Sequence, residues 1–154
     1  MNIDDNIILI AVRLKSKRLK KKALLPLGGI PLIIQLVARL KYCKLVNKII
    51  ICTSTNPEDD ELEKICVSNN INFYRGSELN LLNRFLEASK KFNAKNIVRV
   101  TGDNPLTDPE IIDKMLNVHI SKNYDYTYCD SIPIGTRSEI IKREVLNFCD
   151  KNVK

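Results

Sequence analysis

The chain carries one histidine, five glycines and no CxxC pair among its five cysteines, an odd number. Cys43, Cys52, Cys66, Cys129 and Cys149 therefore give neither a disulfide framework nor a zinc site. His119 has no Cys or Asp/Glu cluster beside it and reads as an ordinary helix residue. Two glycine-based phosphate motifs are also missing. There is no GxxxxGK[ST], since Gly28-Gly29 runs into Ile-Pro, and there is no GxGxxG, which argues against a kinase-type phosphate loop and a dinucleotide fold. The longest apolar stretches, Ile7–Val12 and Pro31–Ala38 with Gln35 inside it, are far too short to cross a bilayer. The acidic start, MNIDD, lacks the apolar core of a secretory signal, so the expected location is cytoplasmic.

What remains is enough for a core. The chain has 154 residues, 44% of them hydrophobic, which suits a single globular domain and not a disordered chain. The net charge is +7, and it is concentrated. Arg13, Lys15, Lys17, Arg18, Lys20, Lys21 and Lys22 place seven cations within ten residues that hold no acid, while the remaining 18 Lys and Arg balance 18 Asp and Glu. Such a local patch points to one anionic ligand site.

Strand and helix patterns alternate along the whole chain. Buried strands are expected at Ile7–Val12, Lys48–Thr53 and Asn96–Thr101, with shorter ones at Asn72–Tyr74, Tyr124–Tyr128 and Glu139–Ile141. Helices are expected at Leu32–Lys41 behind Pro31, Glu58–Ser68, Leu79–Phe92, Glu110–Lys122 and from Arg143 through Cys149. This is an α/β three-layer sandwich around a mainly parallel sheet. The chain stops soon after its last helix begins, which suits a single domain that is truncated or completed by a partner chain.

Ligands of such sheets bind beyond the C-terminal ends of the strands. The loops Arg13–Lys22, Thr53–Asp60 and Gly102–Asp108 fall there and share one crevice in this reading. Arg13–Lys22 reads as a clamp for a polyphosphate, against a plain solvated basic loop, because it follows the first buried strand directly. Asp103, at the end of another buried strand, reads either as a Mg²⁺ carboxylate or as a turn cap. Gly102 would let the backbone approach a ligand. Tyr74–Glu78 reads either as backbone facing a base or as a β-to-α turn with Ser77 as helix N-cap.

Four blocks in order resemble the cytidylyltransferases that make CMP-activated sugars: RLKSKRLKKKAL (Arg13–Leu24), TSTNPEDD (Thr53–Asp60), FYRGSELNLLNRF (Phe73–Phe85) and VRVTGDNPLTDPE (Val98–Glu110). The family includes acylneuraminate and ketodeoxyoctonate cytidylyltransferases, and the spore-coat polysaccharide branch is the most similar. The resemblance spans Ile7 to Ile141 and implies a nucleotide-diphospho-sugar-transferase-like, Rossmann-like fold. It implies CTP and a sugar or sugar acid as substrates, Mg²⁺ as cofactor and a homodimer. Arg13, Ser16, Arg18 and Lys22 match the triphosphate loop, with Arg13, Lys22 and Asp103 as the catalytic set and Asp103 as the metal ligand. Thr53 and Ser54 match the strand end beside the nucleoside. Arg75, Gly76, Ser77 and Arg84 match the block near the base. Four positions depart from the pattern: Lys15 stands where Gly is usual, Lys20-Lys21 where Pro-Gly is usual, and Arg137 where an acid is usual.

Two other readings compete. One is a non-catalytic nucleotide-binding or regulatory domain derived from this family, in keeping with Arg137. The other is a nucleic-acid-binding module, which the five Tyr and four Phe do not support because none interleaves with the basic loop. Neither nucleic acid nor membrane is expected as a partner.

Overall fold

The computed structural model describes residues 3–15 and 19–152. A 3-10 turn at Ile3–Asp5 leads into β1 (Asn6–Ala11), whose Ile7–Ile10 run is fully buried. After the basic loop come a 3-10 turn at Lys22–Leu24 and a small hairpin, β2 (Pro26–Leu27) and β3 (Ile30–Pro31). The hairpin turns on Gly28 and Gly29, whose φ angles of 62° and 83° suit glycine, and the strand-period reading missed it because each arm is two residues long.

There follow α1 (Leu32–Leu40), β4 (Lys48–Ser54), α2 (Asp60–Ser68), β5 (Asn72–Gly76), α3 (Leu81–Lys91), β6 (Asn96–Thr101), α4 (Pro109–Ser121), β7 (Tyr126–Tyr128), β8 (Glu139–Lys142) and α5 (Arg143–Asn152). The six-stranded sheet has the order β5-β4-β1-β6-β8-β7. The strands β5, β4, β1 and β6 are parallel, β8 runs antiparallel to β6, and β7 is antiparallel to β8. The fold is the expected three-layer α/β arrangement.

Side-chain alternation along each strand sorts the two faces. Ile8 and Ile10 of β1, Ile51 of β4 and Val98 and Val100 of β6 pack under α1, α2 and α4. Ile7 and Leu9, Ile50 and Cys52, and Ile97 pack under α3 and α5. Burying each such Ile or Leu contributes about 1.5–3 kcal/mol, so the central strands are pinned in register from both sides.

Helix starts differ from the sequence expectation where polar side chains intervene. Pro57–Asp59 forms a 3-10 turn capped by Asn56, so α2 begins at Asp60 and not at Glu58. Asn80 accepts a hydrogen bond from Asn83 N–H and delays α3 to Leu81. Ser77 is therefore not its N-cap, although its hydroxyl accepts from Asn80 N–H at 3.0 Å. His119 is a buried residue of α4, its Nδ1 2.8 Å from Thr127 Oγ1.

Candidate functional site

Ala11, Ser54, Gly76 and Thr101 end the four parallel strands on one rim of the sheet, and the loops that follow them gather there. Lys22 sits at the inner end of the basic loop, on a 3-10 turn whose Ala23 is buried. Its Nζ lies 3.2 Å from Asp103 Oδ2, and the two side chains are 43% and 45% exposed. Residues 81 positions apart thus meet at the mouth, with the carboxylate and the ammonium both open to solvent.

The Asp103 loop is held from several directions. Gly102 N–H donates to Ala11 C=O at 2.8 Å. A Cβ on Gly102 would stand 2.6 Å from Val12 Cβ, so the close approach that requires glycine is to Val12 of this chain, where the sequence suggested a ligand. Asn104 N–H donates to Thr101 C=O, Thr107 N–H to Asn104 C=O, and Arg39 Nε to Thr107 C=O at 2.8 Å. Asp108 caps α4, accepting from Glu110 and Ile111 N–H at 2.8 and 3.2 Å. That leaves the Asp103 carboxylate facing Lys22.

Three further cations of the loop, Arg13, Lys15 and Lys21, are also parked on oxygens. Arg13 Nη1 donates to Glu78 C=O at 2.9 Å, and Lys15 Nζ lies 3.4 Å from the Glu78 carboxylate, which also takes Asn56 Nδ2 at 3.1 Å. The Asn56 hydrogen bond first, then the one from Lys15, holds the Glu78 carboxyl below its ordinary range. Lys21 pairs with Glu61. Lys21 has a φ of 52°, the left-handed region that favours glycine, at a position where the resembling family usually has Gly. Ser16 and Arg18 lie outside the described residues.

A buried acid that sequence reasoning passed over ties the loop to β4. Asp59 is 1% exposed, and its Oδ1 accepts Leu14 N–H at 2.8 Å while Oδ2 accepts Ser54 N–H at 3.1 Å and the Ser54 hydroxyl. Burial pushes its carboxyl up, but the hydrogen bonds from Leu14 and Ser54 outweigh that and hold it below the ordinary value. From sequence it looked like one more first-turn acid of a helix. The preceding Asn56-Pro57, which bends the chain back, was the only signal of its inward aim.

Thr53 and Ser54 end β4 as expected, and both are buried. The Ser54 hydroxyl is taken up by Asp59 and by Asn56 N–H. Arg75 is on the α2 side of β5, where its guanidinium bonds Ser54 C=O, Asn56 C=O, Glu63 and Asp60. It braces the loop after β4 and points away from Arg84. Gly76 passes over Arg84: a Cβ there would be 3.1 Å from Arg84 Cγ and 2.8 Å from Tyr74 Cε1. The Gly76 C=O accepts Thr55 N–H, and the Ser77 C=O accepts Arg84 Nη1 at 3.3 Å. Both carbonyls of this turn are thus used internally. Arg84 is 3% exposed, its pKa is lowered by burial, and its Nε has no partner among the described residues.

No group of three metal-ligating side chains occurs among the described residues. Asp103 is instead a half-exposed oxygen donor whose described partner is a lysine. That suits Mg²⁺, which takes one or two carboxylates and fills its other positions with phosphate oxygens and water.

The cytidylyltransferase family model matches residues 7–153. The chain belongs to the cytidylyltransferase family. Spore coat polysaccharide biosynthesis protein SpsF of Bacillus subtilis is 36% identical over 148 residues, covering 94% of this chain and 62% of that protein. The 3-deoxy-manno-octulosonate cytidylyltransferase of Chloroherpeton thalassium is 30% identical over 113 residues, 71% of this chain and 44% of that one. Among solved structures, a cytidylyltransferase from Leptospira borgpetersenii superposes with a TM-score of 0.92 at 30% identity, over 97% of this chain and 65% of that one. The chain spans about three fifths of the length of the first curated relatives it matches. Among the described residues of this cytidylyltransferase chain, no helix is long and apolar enough to cross a membrane.

Proposed function

We propose that this domain transfers CMP from CTP to a hydroxyl of a sugar or sugar acid and releases pyrophosphate. The observation that carries the reading is the Lys22–Asp103 pair at the mouth of the sheet, with Arg13 on the same loop. Family membership supports the cytidine nucleotide, and the octulosonate-activating relative supports the acceptor class.

In this reading Lys22 exchanges Asp103 for the phosphates as CTP enters, and Arg13 exchanges the Glu78 carbonyl for them. Ser16 and Arg18 belong to the same triphosphate loop. Asp103 is the ligand for Mg²⁺, which neutralises phosphate charge and helps align the leaving pyrophosphate. Lys22 and Arg13 stabilise the charge that builds up around the α-phosphorus and on the leaving group. The chain's own contribution is thus positioning and charge complementarity, as in phosphoryl transfer generally.

Thr53, Ser54, Arg75, Gly76, Ser77 and Arg84 form the nucleoside side. Two of them have an indirect part in this reading: Arg75 and Arg84 hold the backbone of the two loops on that side, through Asn56 C=O and Ser77 C=O. The testing experiment is pyrophosphate release from a panel of CTP, UTP and GTP with Mg²⁺ and candidate sugars. Release with CTP alone, lost in Asp103→Asn, is the expected result. CTP binding without pyrophosphate release in the presence of any of the sugars would favour a non-catalytic nucleotide-binding domain.

A further inference from the structure

The face of the sheet under α3 and α5 is apolar up to the row that holds Arg99. Ile7, Leu9 and Ile97 pack into that core, with Ile141 against it. Arg99 breaks the pattern. It pairs across the sheet with Leu9 on one side and Glu139 on the other, and Glu139 pairs in turn with Tyr128. Along this row exposure rises from 0% at Leu9, through side chains 34% and 35% exposed at Arg99 and Glu139, to 61% at Tyr128. Along this row the helical cover therefore ends at Arg99, and a strip of sheet lies open toward Tyr128.

The strip has a defined chemistry. Arg99 Nη1 donates to Glu139 Oε2 at 2.8 Å. Tyr126, 47% exposed, shares the face with Tyr128, and their ring centroids are 5.9 Å apart. Burial first, then the charge of Glu139, holds the Tyr126 phenol above its ordinary pKa. The strip leads directly to the mouth, because Arg99 and Thr101 alternate onto one face of β6 and Gly102-Asp103 follow. Two strand spacings, about 10 Å, separate β6 from β7.

We propose that Tyr126, Tyr128, Glu139 and Arg99 form the subsite that receives the acceptor, a polyhydroxylated sugar ring. The inference rests on the cytidylyl-transfer reading and names where its second substrate docks. The two phenol rings offer apolar faces with polar tips, which suits the C–H face of a sugar. Glu139 has further lone pairs for neighbouring hydroxyls, and Arg99 keeps N–H donors beyond the one used on Glu139. The ion pair is neutral overall, so the strip reads hydroxyl pattern and not acceptor charge. The acceptor hydroxyl then reaches the α-phosphorus from the Thr101 side of Asp103.

Direct binding tests this without turnover. The chain has no tryptophan, so its intrinsic emission comes from its five tyrosines. The protein loaded with CTP and Mg²⁺ is titrated with 3-deoxy-manno-octulosonate, N-acetylneuraminate and mannose. The expected result is a saturable emission change with at least one of them, weakened about tenfold or more in Tyr128→Ala and in Glu139→Gln and retained in Tyr128→Phe. CTP affinity, measured by calorimetry on the same variants, should stay unchanged. Where a sugar is turned over, its KM rises with little change in kcat. No response to any of the three sugars, or equal responses in all variants, overturns the subsite. So does a change in molecular mass in Tyr128→Ala with sugar binding intact, which would assign the strip to a second copy of the chain. Failure of CTP itself to bind would instead sink the cytidylyl-transfer reading.

Discussion

Gly102 and Val12 are in contact so close that no side chain fits between them: a Cβ added to Gly102 would lie 2.6 Å from Val12 Cβ and 3.2 Å from Ala11 O. This contact fastens the Asp103 loop to the strand end from which the basic loop leaves. It sets the spacing between the two halves of the site.

Gly102→Ala is therefore expected to lose about 1–3 kcal/mol of stability, because β1 and β6 are locked in register below the contact and cannot move apart cheaply. Since Asp103 is the next residue, Mg²⁺-dependent CTP affinity should fall as well. Urea unfolding and calorimetry on the one variant check both effects.

Asp59 predicts a signature in acid. Its carboxyl is held below the ordinary range, so the folded state prefers the ionised form. The stability this contributes is complete above the unfolded-state value and is lost as pH falls through the folded-state value. Asp59→Asn should be less stable than the parent at pH 7, and the gap should narrow as pH drops into and below the ordinary carboxylate range. Urea unfolding series at pH 7 and pH 3 measure it.

Arg84 predicts a split between stability and binding. It is 3% exposed, and among the described residues it makes one long bond to Ser77 C=O and its Nε has no partner. Replacing such a charge by a side chain of similar volume is often neutral or stabilising. Arg84→Met should keep or raise the unfolding midpoint while the freed turn at Ser77 lowers CTP affinity about tenfold. A variant that loses stability but binds CTP normally would show that Arg84 serves packing alone.

Much of this was legible from the residues. IILIAV, KIIICT and NIVRVT announced three buried strands because fully buried parallel strands are continuously apolar, and the strand ends fixed which loops would meet. Lys22 and Asp103 could be paired by that topology alone. The illegible part lies in side chains that point back into the protein. Asp59 looked like a solvated first-turn acid, and only the 3-10 turn before α2 aims it at Leu14 N–H. Gly102 was read as letting backbone approach a ligand, and Gly76 either as backbone facing a base or as part of a plain turn; neither reading foresaw that a Cβ at these positions would crowd Val12 and Arg84. Arg75 carried no sign that it faces α2, because that depends on which strand parity meets which layer. Arg99 in NIVRVT sat unnoticed between valines that face the other way.

The account depends most on Lys22 and Asp103 standing on either side of one polyphosphate and its metal. The direct test is CTP binding by calorimetry, with and without Mg²⁺, in the parent and in Asp103→Asn. The account predicts that Mg²⁺ tightens CTP binding about tenfold or more in the parent and has no such effect in Asp103→Asn. Metal-free binding should be equal or tighter in the variant, because Lys22 no longer has a competing carboxylate 3.2 Å away. Full Mg²⁺ enhancement retained in Asp103→Asn would contradict it.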